Sequence, residues 1–184
     1  MSVRGGRPLR WVEIEACLRD VGEVLEQNGS VPQTIVVVGG AFAAWHQIRD
    51  ATTDVDTIGT IDEQLRVAAE IVGARHDLEL DWLNDRARPW QPAGFTLSTC
   101  TTVLHHGKLT VLAPPANVVF LMKLDAARGP TDYLDMVALW PACTFATPEA
   151  AVNGFYTGYP LEPVDEHLID YVTDIASQAA KRAT

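Results

Sequence analysis

Cysteine is scarce in this chain and nowhere paired: Cys17, Cys100 and Cys143 are odd in number, widely spaced and form no Cys-x-x-Cys element. A disulfide framework and a zinc knuckle are therefore set aside, and a reducing, cytoplasmic setting is expected. Positive charge is the second deficit, with 14 Lys and Arg against 24 Asp and Glu and a net charge of −10. A protein that coats nucleic acid through a broad basic surface needs many phosphate contacts, so that class is excluded while a local basic patch is not. Long apolar runs are missing too, and no membrane partner is expected. Arg4, Arg7 and Arg10 resemble the start of a signal peptide, but Glu13 and Glu15 fall where its apolar core should begin. The chain has no internal repeat and no low-complexity tract.

What is present suits one well-buried domain with a helical extension: 184 residues, of which 47% are hydrophobic. Residues 1–9, with Gly5, Gly6 and Pro8, read as a disordered leader. From about Leu9 to Gln27 apolar positions recur at helical spacing, and Asn28-Gly29 stops that helix. A strand over Thr34–Val38 precedes a short helix through Ala41–Trp45, a second strand around Asp54–Ile58, and a helix from Asp62 to Val72 ended by Gly73. Leu78–Trp82 alternates like a third strand. Phe95–Leu104 and Leu109–Ala113 read as a hairpin turned at His105-His-Gly-Lys108. Pro114-Pro115 opens a helical second half with helices over 117–124, 131–140, 148–155 and 164–181. The expected plan is a core over 10–115 and a helical part over 116–184.

The chemistry is concentrated in two places. Ile35-Val-Val-Val38 is a buried-strand run closed by Gly39-Gly40, whose missing side chains let backbone approach a ligand. Asp54-Val-Asp56 then sets two carboxylates on one face of the next strand, with Cα atoms about 6–7 Å apart, within reach of the same small set of divalent cations. Further on, Lys123 interrupts an otherwise apolar helix, a costly place for a charge unless it meets a partner or a polar cleft. Asp132 and Asp135 share one face of the following helix.

These segments together resemble the minimal nucleotidyltransferase superfamily, in which a strand ends in Gly-Gly or Gly-Ser, a short helix follows, and Asp-x-Asp lies on the next strand. Within it the chain is most similar to the bacterial AbiEii-like group, known as toxins of toxin–antitoxin pairs, and to uncharacterised relatives of that group. The resemblance rests on Val38-Gly-Gly-Ala-Phe-Ala43, Thr53-Asp-Val-Asp56, and Met122-Lys-Leu-Asp-Ala-Ala-Arg128 running into Asp132-Tyr-Leu-Asp135, with the motifs in that family's order, and Leu80-Asp-Trp-Leu-Asn-Asp85 resembles the uncharacterised relatives. It implies an α/β fold: a small mixed sheet of nucleotidyltransferase (polymerase β-like) topology with flanking helices and a helical C-terminal part.

The implied activity is Mg²⁺- or Mn²⁺-dependent transfer of a nucleoside monophosphate from an NTP to an acceptor hydroxyl on RNA, such as tRNA, or on protein. Asp54 and Asp56 would ligate the metal, with Asp81 as candidate third carboxylate and Glu79 as its competitor. Gly39 and Gly40 would offer backbone N–H groups to the triphosphate, and Lys123 would neutralise phosphate charge. Asp132 and Asp135 would hold Lys123, assist a metal or orient the acceptor. An antitoxin protein is an implied partner. Arg49 stands one residue further from Asp54 than the group's arginine, and glycine replaces the serine found in many active transferases. The missing serine and the open choice of third carboxylate motivate the alternative of a catalytically inactive nucleotide-binding or partner-binding module on the same fold; a drug-modifying adenylyltransferase is a third reading.

The remaining candidates have plainer readings. Lys123 is equally an ion pair with Asp132 or Asp135, and Arg128 reads as a helix-end charge. Trp82, Trp90 and Trp140 read as packing residues, Arg86-Ala-Arg88-Pro-Trp90 as a solvated loop, with contact to an RNA acceptor as its other reading, and His105-His106 as a surface turn. His46 is expected to pack behind the first short helix.

Overall fold

A computed structural model describes residues 6–126 and 129–182. The expected disorder of residues 1–5 and the helix-end role expected of Arg128 lie outside them. The described residues form an α/β protein with a five-stranded mixed sheet and seven α-helices. The chain divides into two compact units: residues 1–89 with 100–114, and residues 90–99 with 115–184. No helix among the described residues is long and apolar enough to cross a membrane.

In the first unit, helix α1 (Trp11–Gln27) buries Ile14, Cys17, Leu18, Val21, Val24 and Leu25 along one stripe. It ends where the sequence places its stop, with Asn28 capping and Gly29 at φ +65°. Strand β1 (Gln33–Val38) is the centre of the sheet because its β-branched run, Ile35 to Val38, is at most 2% exposed. Helix α2 (Gly39–Trp45) follows without a loop, then β2 (Val55–Thr57), α3 (Glu63–Arg75), β3 (Leu83–Asn84), β4 (Thr101–His106) and β5 (Leu109–Ala113). The sheet order is β3-β2-β1-β5-β4. β1 runs antiparallel to β2 and parallel to β5, β2 runs parallel to β3, and β4 and β5 are an antiparallel hairpin.

Several elements differ from the expected ones. Leu9 belongs to the fold and not to a loose leader: it is fully buried, and its backbone exchanges hydrogen bonds of 2.6 and 3.0 Å with Thr52. Gly73 does not end α3, which continues to Arg75. The absent side chain at Gly73 instead admits the Trp82 ring, whose nearest atom would lie 3.0 Å from a Cβ there, and the indole N–H donates to the Ala69 carbonyl at 2.9 Å. Anchoring Trp82 uses residues 76–81 as a turn, so the third strand is Leu83–Asn84 and not Leu78–Trp82. Phe95–Thr99 is likewise no strand: Leu97–Thr99 is a 3₁₀ turn, and the hairpin begins only at Thr101.

The hairpin turn locks α1 to the sheet through a glycine pair. Gly107, at φ +53°, turns the chain against Gly22, and a Cβ on Gly22 would stand 2.1 Å from the His106 carbonyl oxygen. Lys108 N–H donates to the Gly22 carbonyl at 3.2 Å. Gly22→Ala is expected to lower stability by about 1–3 kcal/mol, because backbone must retreat and the overpacking cost exceeds the helix-propensity gain. Urea unfolding reads this directly, and an unchanged or higher midpoint would contradict the packing described.

The second unit contains α4 (Ala116–Ala126), α5 (Pro130–Leu139), α6 (Pro148–Gly158) and α7 (Leu168–Arg182). Phe120, Trp140 and Phe145 form an aromatic cluster with ring centroids 5.3–6.1 Å apart. Residues 90–99 join this unit through Ala93 N–H to the Gly158 carbonyl at 2.7 Å and the Tyr159 hydroxyl to the Trp90 carbonyl at 2.6 Å. Burial lifts the Tyr159 hydroxyl well above the ordinary tyrosine range.

Candidate functional site

Alternation along β2 decides which side chains are available. Val55 and Thr57 are fully buried on one face, so Asp54, just before the strand, and Asp56, within it, fall on the other and are only half-buried. Antiparallel pairing sets Asp56 beside Val38, the residue before the double glycine. Gly39 at φ +59° turns the chain directly from β1 into α2. A Cβ at Gly39 would lie 2.8 Å from Asp56 Oδ2, and one at Gly40 would lie 2.2 Å from Thr52 Oγ1. Thr52 in turn donates to Asp54 Oδ1 at 3.4 Å. Gly39, Gly40, Thr52, Asp54 and Asp56 are thus one constellation in which backbone and carboxylates approach without intervening side chains.

Asp81 lies in the turn before β3, largely exposed. Arg86 joins it to the first carboxylate, with Nη2 at 3.3 Å from Asp81 Oδ2 and 3.4 Å from Asp54 Oδ2. On β3 the residue in register with Asp56 is Asn84, whose side chain is spent locally, accepting from Arg86 N–H at 3.0 Å and donating to the Asp81 carbonyl at 3.3 Å. Thr53, Asp54, Glu79, Asp81, Trp82 and Arg86 line an open depression of about 220 Å³.

Asp54 and Asp56 are the carboxylates of this constellation that could hold a divalent cation. Among the described residues no three His, Cys, Asp or Glu side chains are grouped to hold a metal ion. A carboxylate pair beside side-chain-free backbone suits Mg²⁺ or Mn²⁺ in particular, since Mg²⁺ keeps waters and takes remaining ligands from substrate phosphates. Burial pushes the Cys17 thiol up to about 11 and the Cys143 thiol up to about 12, and all three cysteines carry free thiols.

Lys123, Asp132 and Asp135 converge in the second unit. Lys123 Nζ stands 3.0 Å from Asp132 Oδ1 and 2.7 Å from Asp135 Oδ2, and the Lys123 and Asp135 side chains are only 12% and 7% exposed. The helical spacing of the two aspartates brings both onto the ammonium, the ion-pair alternative of the sequence reading. The sequence-predicted residues therefore form two clusters, one in each unit.

Other candidates resolve into packing and surface pairs. His46 stacks on Phe42 with centroids 4.4 Å apart, and burial lowers its pKa. His105 and His106 lie on β4, not in the turn, and pair with Thr110 at 2.9 Å and Glu23 at 3.1 Å. Arg49 follows α2 in a turn, its N–H on the Ala43 carbonyl. Sequence reading passed over Thr52 and the carboxylate-bridging role of Arg86. The adjacency of Thr52 to the Asp-x-Asp segment signalled the first, whereas a pair 32 residues apart leaves no local pattern.

Fold and site together define an α/β protein with a mixed sheet whose central strand turns through a double glycine onto a neighbouring carboxylate pair. Comparison of the chain with models of known families, with curated proteins and with solved structures returned no match.

Proposed function

We propose that this protein is a divalent-cation-dependent nucleotidyltransferase, moving a nucleoside monophosphate from a nucleoside triphosphate to an acceptor hydroxyl on RNA or protein. The observation that supports this most is the closeness of Gly39 to Asp56 Oδ2, where even one methyl group would intrude. Two carboxylates and bare backbone are an economical set for the reaction, which needs positioning and charge compensation more than covalent help. In the reaction the acceptor oxygen bonds to the α-phosphorus as its proton passes to solvent, the bridging P–O bond to the β-phosphate breaks, and pyrophosphate leaves. Asp54 and Asp56 would hold the cation, which when bound supplies charge neutralisation to the phosphates. Thr52 orients the Asp54 carboxylate, and Gly39 and Gly40 would offer backbone N–H groups to phosphate oxygens. The phosphate-neutralising role implied for Lys123, and the toxin role with its antitoxin partner, are proposed on the same terms.

The test is incubation of the full chain with each labelled NTP, Mg²⁺ or Mn²⁺, and total cellular RNA or lysate, beside Asp54→Asn and Asp56→Asn. Label transfer by the wild type, reduced at least a hundredfold in both variants with folding intact, is expected. A second reading, a nucleotide-binding or partner-binding module without catalysis, is favoured by the Arg86 bridge across Asp54 and Asp81. Calorimetric NTP binding without transfer to any acceptor would select its nucleotide-binding form, and neither binding nor transfer would sink the transferase and leave only a partner-binding module.

A further inference from the structure

The proposed reaction assigns no task to Arg86, whose guanidinium bridges Asp54 and Asp81. Its place is well defined at the backbone, where its N–H is fixed on Asn84 Oδ1, itself part of the strand beside Asp56. The guanidinium is not fixed in the same way. It meets Asp54 Oδ2 and Asp81 Oδ2 at 3.4 and 3.3 Å while the side chain is 60% exposed. Long, exposed pairs of this kind are weak and exchange readily. A divalent ion would take a carboxylate oxygen at about 2.0–2.1 Å, and the guanidinium beside it would then face a like charge.

We infer that Arg86 is the exchange partner of the cation and a phosphate-binding residue: its guanidinium neutralises Asp54 and Asp81 in the ligand-free protein, yields Asp54 to a divalent ion, and then takes a phosphate oxygen of the nucleotide. This rests on the nucleotidyltransferase reading and adds a residue and a sequence of binding to it. The depression lined by Thr53, Asp54, Glu79 and Arg86 gives the side chain room to move without leaving the site. Arginine suits both states, since its planar fork pairs with carboxylate and phosphate alike. Asp81 has its own task here, holding one side of the guanidinium while the other is exchanged.

The experiment titrates the full chain, as wild type, Arg86→Gln and Asp54→Asn, first with Mn²⁺ alone, followed by paramagnetic resonance of the unbound ion, and then with a non-hydrolysable NTP analogue in saturating Mn²⁺, followed by calorimetry. Circular dichroism melts establish that each variant folds. Arg86→Gln is expected to bind Mn²⁺ alone about three- to tenfold more tightly, because the competing cation is gone, and to bind the analogue about tenfold more weakly. Opposite shifts are the signature, since a merely structural role would weaken both. If the wild type binds both ligands, Asp54→Asn binds neither, and Arg86→Gln shifts the two in the same direction or not at all, the inference is overturned and the transferase reading stands. If the wild type binds neither ligand, the transferase reading fails and the inference with it.

Discussion

Gly39→Ala is expected to leave a folded protein, less stable by about 1–2 kcal/mol, that has lost at least about tenfold in affinity for a metal–nucleotide complex. Two costs arise at this one position. The φ of +59° is a region where an L side chain is strained, which bears on stability. The added methyl would also stand 2.8 Å from Asp56 Oδ2, the end of a short side chain that relieves the contact by rotating away. That rotation is expensive for the site, since Asp56 no longer presents the same oxygen. A double-mutant cycle separates the terms: in an Asp56→Ala background, Gly39→Ala should retain only the backbone strain, leaving a coupling energy of about 0.5–1 kcal/mol. Equal effects in both backgrounds would mean that glycine is required here for the turn alone. Gly40→Ala offers a comparison, because its methyl meets Thr52 and not Asp56.

How far the sequence disclosed this arrangement depends on the range of the force involved. Strand β1, the glycine turn and the facing of Asp54 and Asp56 were legible, because burial of Val55 and Thr57 follows from alternation over a few residues. The start and stop of α1 were legible within two residues for the same reason. The third strand was not. Leu78–Trp82 alternates correctly for a strand, but Trp82 is taken by α3 at Gly73 and Ala69, a contact that periodicity does not encode. Residues 95–99 were misassigned in the same way: hydrogen bonds from the neighbouring segment 90–93 to Gly158 and Tyr159, more than 60 positions away, tie this stretch to the helical unit. Arg86 is the functional counterpart of these errors. As one of several charges in a loop it carries no pattern, and only the fold brings it within 3.4 Å of Asp54.

Lys123→Met is expected to destabilise the second unit by about 3–4 kcal/mol, the largest stability effect of any substitution considered for this chain. Asp135 would lose a partner at 2.7 Å in a place where its own side chain is only 7% exposed, and desolvation that the ion pair had offset would be left in part uncompensated. Asp132, at 28% exposure, recovers more of its hydration and contributes less. The asymmetry between breaking a buried pair and replacing it gives the decisive variant. Lys123→Met combined with Asp135→Leu removes both charges and fills the space with apolar atoms, so most of the lost stability should return. Thermal or urea unfolding of the three proteins checks this, and a double variant no better than Lys123→Met would show that the pair does more than compensate itself. The same variant also tests the two roles open to Lys123. With the unit restored, recovered label transfer would assign both Lys123 and Asp135 to scaffolding, whereas a stable protein without transfer would place at least one of the two charges in the reaction, because scaffolding alone is met by well-packed side chains.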